Sequence, residues 1–157
     1  MSVLVLAYPE LSKNDYEWIQ KFREKYDEPY YHIVEPHFTI IFPTFDFNGE
    51  ELIQEIEHKA KNIKPFDFEI KSAVINKDAS TDYWHIFLTV DKGNSEIIKM
   101  HDVLYSGKML NNLILEIQFV SHISVGNSKD RWLCKKLVDE VNRLNIEIKG
   151  KITNLDV

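Results

Sequence analysis

Cysteine is nearly missing from this chain: Cys134 is the only one in 157 residues. That excludes an internal disulfide and fits a reducing compartment. Long apolar runs are also missing. The apolar stretch Val3 to Tyr8 stops at Pro9 and follows no basic segment. It is too short to span a membrane and lacks the layout of a signal peptide, so a cytoplasmic protein is expected. Positive charge is in deficit, with 19 Lys and Arg against 25 Asp and Glu and a formal charge of −6. Broad electrostatic capture of nucleic acid is therefore not expected; a small anionic substrate, or an RNA end held by a local patch, is compatible. Glycine and proline number five each, and no linker rich in Pro, Gly or Ser divides the chain. What is present suits one soluble domain with a real core: 44% apolar and 28% charged residues.

Apolar periodicity places the elements. Val3 to Tyr8 is β-branched and apolar and reads as a strand. Ser12 with Asp15 three residues on resembles a capping box, and Tyr16, Ile19, Phe22 and Tyr26 follow at helical spacing. His37 to Phe42 reads as a strand fenced by Pro36 and Pro43. Asn48 and Glu51 open a helix whose stripe is Leu52, Ile53, Ile56, Ala60 and Ile63. Phe66 to Asn76 alternates as a strand. A second series begins after the polar turn Lys77 to Asp82. Tyr83 to Val90 is a strand, Ser95 to Tyr105 a helix, and Ile114 to Val125 contains a strand. Ser128 opens a helix carrying Leu133, Leu137, Val141 and Leu144, and Ile146 to Ile152 is the last strand.

The order strand, helix, strand, helix, strand thus occurs twice. The expectation is a single α+β domain over 1–157, made of two pseudo-repeats at about 1–78 and 79–157. Within it, His37-Phe38-Thr39 and His122-Ile123-Ser124 fall in the third element of each series, 85 residues apart (positions 37 and 122). On a strand, residues i and i+2 share a face. His37 and Thr39 therefore point one way while Phe38 and Ile40 point the other; His122 and Ser124 behave likewise against Ile123 and Val125. A single His-x-Thr is common on ordinary strands. Two at equivalent places in a duplicated pattern would meet across one cleft if the halves are related by a pseudo-twofold axis.

Two imidazoles and two hydroxyls around one point suit phosphodiester chemistry. One group must take a proton from the nucleophile, and another must protonate the leaving oxygen. Histidine titrates near neutrality and serves in either role. The hydroxyls donate hydrogen bonds to non-bridging phosphate oxygens.

The segments EPHFTIIFP (Glu35 to Pro43) and SHISVGN (Ser121 to Asn127) resemble the paired H-x-T/S signatures of the two-histidine (2H) phosphoesterase superfamily. That superfamily includes 2′-5′ RNA ligase-like proteins and cyclic nucleotide phosphodiesterases. The LVLAYP strand, aromatic helix and first motif are similar to a branch of small bacterial phosphoesterases. The resemblance implies a bilobal fold in which two mainly antiparallel sheets face a central cleft with helices outside. It implies cleavage of 2′,3′-cyclic or related phosphodiesters without cofactor or metal. By the same resemblance, His37 is the general acid, His122 the general base, and Thr39 and Ser124 bind phosphate. The chain departs from the RNA ligase-like pattern H-x-T-L-x-R, since no arginine follows either motif closely.

Further contacts are expected from Tyr83, His85 and Phe87, which by alternation oppose Trp84, Ile86 and Leu88 and so can line the cleft. Lys129 and Arg131, at the start of a helix after the second motif, add positive charge or simply form a solvated face. Tyr30, Tyr31 and His32 sit in an expected loop and offer a rim. Cys134 reads as core, and His58 and His101 as surface or partly buried helix residues. Zinc is the chemical competitor for paired histidines, but no third ligand occurs at recognisable spacing: there is no H-E-x-x-H and no cysteine pair. The sequence therefore reads as a monomeric hydrolase acting on a small nucleotide or RNA-end phosphodiester. The alternative is a nucleotide- or RNA-end-binding protein, including RNA ligase-like activity, with little hydrolytic turnover.

Overall fold

A computed structural model describes residues 2–45 and 48–157. The first half contains β1 (Ser2–Ala7), β2 (Glu10–Leu11), α1 (Lys13–Tyr26), the short α2 (Glu28–Tyr31), β3 (Phe38–Phe45), α3 (Gly49–Ala60) and β4 (Phe66–Lys77). The second contains β5 (Trp84–Val90), α4 (Asn94–Leu104), a 3₁₀ helix (Gly107–Asn112), β6 (His122–Ser128), α5 (Arg131–Arg143) and β7 (Ile148–Ile152). The helix starts follow from capping. The Ser12 hydroxyl accepts from the Asp15 amide at 3.1 Å, and the Asp130 carboxylate accepts from the amides of Trp132 and Leu133.

Every strand pairing is antiparallel. A two-stranded sheet pairs β1 with β3, and a five-stranded sheet runs β2-β7-β4-β5-β6. Only Tyr8 and Pro9 separate β1 from β2. Following the chain through that break gives the order β3, β1/β2, β7, β4, β5, β6. This order is a palindrome once the strands are named by their place in each half. The larger sheet curls, and the two end strands, β3 and β6, come into contact. These are the strands of the two histidine motifs. The first helix of each half packs on the motif strand of the other: α1 lies on β6, and α4 lies on β3. At the first of these contacts Gly126 admits the close approach, because a Cβ there would stand 3.3 Å from Tyr26 Cβ and 3.0 Å from Ile86 Cδ1.

The core collects the apolar faces that alternation predicts: Val3, Val5, Phe38, Ile40, Phe68, Ile70, Ile86, Leu88, Ile123 and Val125 are all buried. Phe38 meets Phe68 edge to face with centroids 5.0 Å apart, which fixes the strand next to His37.

Four details differ from the sequence expectation. β3 begins after His37 and runs through Pro43 to Phe45. Proline is tolerated because the β1 ladder is already broken there, between Val3↔Thr44 and Val5↔Ile41. Strand β6 starts only at His122, and Ile114 to Ser121 is turn and irregular chain following the 3₁₀ helix. Ser128 ends β6, and Asp130 caps the next helix in its place. Tyr30 and Tyr31 lie in α2, with Pro29 in its first turn. Among the described residues, no helix is long and apolar enough to cross a membrane.

Candidate active site

Both histidines are held in the same way. His37 directs Nδ1 at the Glu35 carbonyl oxygen, 2.7 Å away, and His122 directs Nδ1 at the Val120 carbonyl oxygen, 2.6 Å away. A carbonyl only accepts, so Nδ1 carries the hydrogen in each ring and Nε2 keeps a lone pair. In both motifs the backbone two residues upstream thus sets the tautomer. Thr39 and Ser124 are half-buried beside their histidines, while Phe38, Ile40, Ile123 and Val125 are fully inside. Among the described residues neither hydroxyl makes a hydrogen bond, which leaves both able to donate to an anion.

The surroundings of the two rings differ. His37 stands edge-on to Tyr8, with centroids 6.1 Å apart. Burial pushes its pKa below the ordinary 6.5; the Glu35 carbonyl and Asp27 oppose that, and Arg23 adds to it. His122 lies flat on Phe87, with centroids 3.5 Å apart and planes 15° apart. Burial pushes it down to about 4, against the Val120 hydrogen bond, and the nearby His37 and His85 push the same way. An imidazole this hard to protonate is a free base at neutral pH.

Of the other expected contacts, Phe87 forms the floor under His122. His85 shares its face and stacks on Phe87, but both its nitrogens already have protein partners, Asp78 and Asn127. Tyr83 is covered by Lys129, whose Nζ sits 5.5 Å from the ring centroid. Arg131 opens α5 and lies over Trp132. Lys129 and Arg131 are both exposed, and among the described residues neither hydrogen-bonds to the motif residues. Cys134 is core, as expected, with its thiol toward the Trp84 carbonyl. His58 is exposed, and His101 is buried against Phe119 and Tyr105.

Sequence reasoning missed a buried polar thread between the halves. Arg23 is 1% exposed and Asp27 2%. Arg23 Nε meets Asp27 at 2.8 Å, and its other nitrogens donate to Gln20, to the Val34 carbonyl at 2.8 Å and to the Tyr30 carbonyl. Burial raises the Asp27 carboxyl despite the lowering pull of Arg23. The Asn127 side-chain amide donates to Asp27 and accepts at His85. Arg23 thus braces the segment leading into His37, while Asp27 reaches the strand of His122. One signal was available: Arg23 lies four residues beyond Ile19 on the buried stripe of α1 and four before Asp27.

Comparison with protein families gives the context. The model of the 2′-5′ RNA ligase superfamily matches residues 11–157, a span that includes both motifs. The chain belongs to that superfamily. The 2′-5′ RNA ligase superfamily is a group of two-histidine phosphoesterases whose members include cyclic phosphodiesterases and RNA ligases. The structure of Kluyveromyces marxianus Usb1 aligns over 99% of this chain and 96% of its own, with a TM-score of 0.58 and 7% sequence identity. That likeness is one of fold. Comparison with curated proteins gave no match.

Proposed function

We propose that this superfamily member hydrolyses a 2′,3′-cyclic nucleotide or a related small RNA phosphodiester, acting as a monomer in the cytoplasm without a metal ion. The observation that carries the reading is the matched pair of imidazoles, each with Nδ1 tied to backbone and Nε2 unspent, each with a free hydroxyl two residues on. His122, pushed down to about 4, is the base. Its Nε2 takes a proton from water as the water oxygen bonds to phosphorus. The bond from phosphorus to one ribose oxygen breaks on the opposite side, and protonated His37 gives that oxygen its proton. Thr39 and Ser124 donate to the non-bridging oxygens and hold the phosphate in line. The bound anion favours the protonated form of His37, offsetting burial. After release, proton exchange with water resets both rings.

The test is a chromatographic assay of 2′,3′-cyclic nucleotides, 2′-5′-linked dinucleotides and ADP-ribose cyclic phosphate, with and without EDTA. Turnover of a cyclic phosphate that EDTA leaves unchanged is expected. Activity abolished by EDTA and restored by zinc rules out the metal-free mechanism. Binding of these compounds without product over hours identifies a binding protein instead.

A further inference from the structure

Three rings stand in a row: His85, Phe87 and His122. The first two are 5.7 Å apart with planes within 4°, and the next two are 3.5 Å apart. The spacing of β5 puts residues 85 and 87 on one face, and pairing sets Phe87 opposite Ser124, next to His122 on β6. Phe87 thus has an imidazole on each side.

Hydrogen bonds hold the His85 ring at both nitrogens. Nε2 faces Asp78 Oδ2 at 2.8 Å. The other Asp78 oxygen accepts from the amides of Ser80 and Thr81 at 2.8 and 2.7 Å, which locks the carboxylate in place. Its pKa is held far below the usual carboxylate range, chiefly by the His85 hydrogen bond, so it acts only as an acceptor. At the other nitrogen, Nδ1 faces Asn127 Oδ1. The orientation of that amide is dictated by Asp27, because turning it would set oxygen against a carboxylate that now receives Nδ2. A polar partner thus holds the ring at each nitrogen, Asp78 at Nε2 and Asn127 at Nδ1.

We infer that His85 is a positioning residue: its ring, clamped by Asp78 and Asn127, sets through Phe87 the plane and electrostatic surroundings of the His122 ring. The titratable and charged groups around it are Asp78 from the turn after β4, Arg23 of α1 and Asp27 at that helix's C-cap by way of Asn127, and His122 with His37 beyond it. The consequence for turnover rests on the phosphoesterase reading; the clamp does not.

Ring-nitrogen NMR of the intact protein, with a pH titration, tests this directly. At pH 7 the expected spectra show His122 neutral. In His85→Gln, loss of the neighbouring charge raises the pH at which His122 titrates by about half a unit. The acid limb of the kcat/KM profile moves up with it. Loosening of the ring lowers kcat on cyclic phosphate about tenfold, with KM changing less than about twofold. Asp78→Asn, which keeps the shape and removes the carboxylate, weakens the clamp and lowers kcat in the same way. A His122 titration unmoved in His85→Gln, or a kcat unmoved in both variants, overturns the inference. If the wild-type protein turns over no cyclic phosphate, the phosphoesterase reading fails while the spectra still decide this one.

Discussion

The two motif strands carry the same tripeptide pattern and the same carbonyl tether, yet their surroundings make unequal imidazoles. His122 begins β6, lies on the Phe87 ring and is pushed down to about 4. His37 stands just outside β3, edge-on to Tyr8, and is lowered by burial with Asp27 pulling the other way. The braces differ too. α4 holds β3 through one neutral hydrogen bond, the Tyr105 hydroxyl accepting from the Phe42 amide at 3.1 Å. α1 holds β6 through a buried ion pair and the Asn127 amide. A duplicated frame therefore leaves room for separate acid and base roles, because identity of ring and tether does not fix the charge around the ring.

The sharpest way to break this comparison is to remove each ring in turn. His37→Ala and His122→Ala should each lower kcat about a hundredfold to ten-thousandfold, since each removes one proton transfer. Turnover like that of wild type by either variant, measured on an identified cyclic phosphate, ends the paired-histidine assignment. The braces come next. Arg23→Ala strands a buried carboxylate and should cost about 3–5 kcal/mol in urea unfolding. Tyr105→Phe removes one neutral bond and should cost about 1 kcal/mol. Equal losses would show that the two halves are braced alike after all.

Smaller effects sharpen the picture. Thr39→Ala and Ser124→Ala each remove one hydrogen bond to an anion, so kcat should fall about tenfold to a hundredfold, less than for either histidine. The pH dependence of stability provides a separate test of the unequal rings. The unfolded state binds a proton at each histidine near 6.5, whereas native His122 resists until about 4 and native His37 is also lowered. Between those pH values the unfolded chain holds more protons, so stability is lost as pH falls through that window. A urea midpoint that is flat from pH 7 to 4 in wild type, or unchanged in slope by His122→Ala, contradicts the burial of that ring.

Phe66 to Asn76 and Tyr83 to Val90 are legible by alternation, whereas Val3 to Tyr8 is legible as a continuous β-branched and apolar run, whose Val5, Leu6 and Ala7 are all buried. The first helix was legible from its Ser12 cap and aromatic stripe. Pro43 misled, since a proline ends a strand only where the ladder needs its missing N–H, and at Pro43 the register shift had already removed that need. Ile114 to Ser121 misled because an apolar run resembles a strand whether or not a partner is available. Alternation makes the face of His85 legible, but not its partners Asp78 and Asn127, which occupy both ring nitrogens.

Residue order alone determined the two tripeptides, the face that each hydroxyl shares with its histidine, and the doubling of the pattern. Those features depend on spacing along one strand, which local geometry dictates. Only the tertiary structure decided that β3 and β6 close on each other, that each is braced by the other half's helix, and that Arg23, Asp27, Asn127, His85 and Asp78 form one thread. These contacts join residues up to 100 positions apart. They exist because burying two sheets and their helices around one core leaves buried polar groups that must find partners wherever the fold places them.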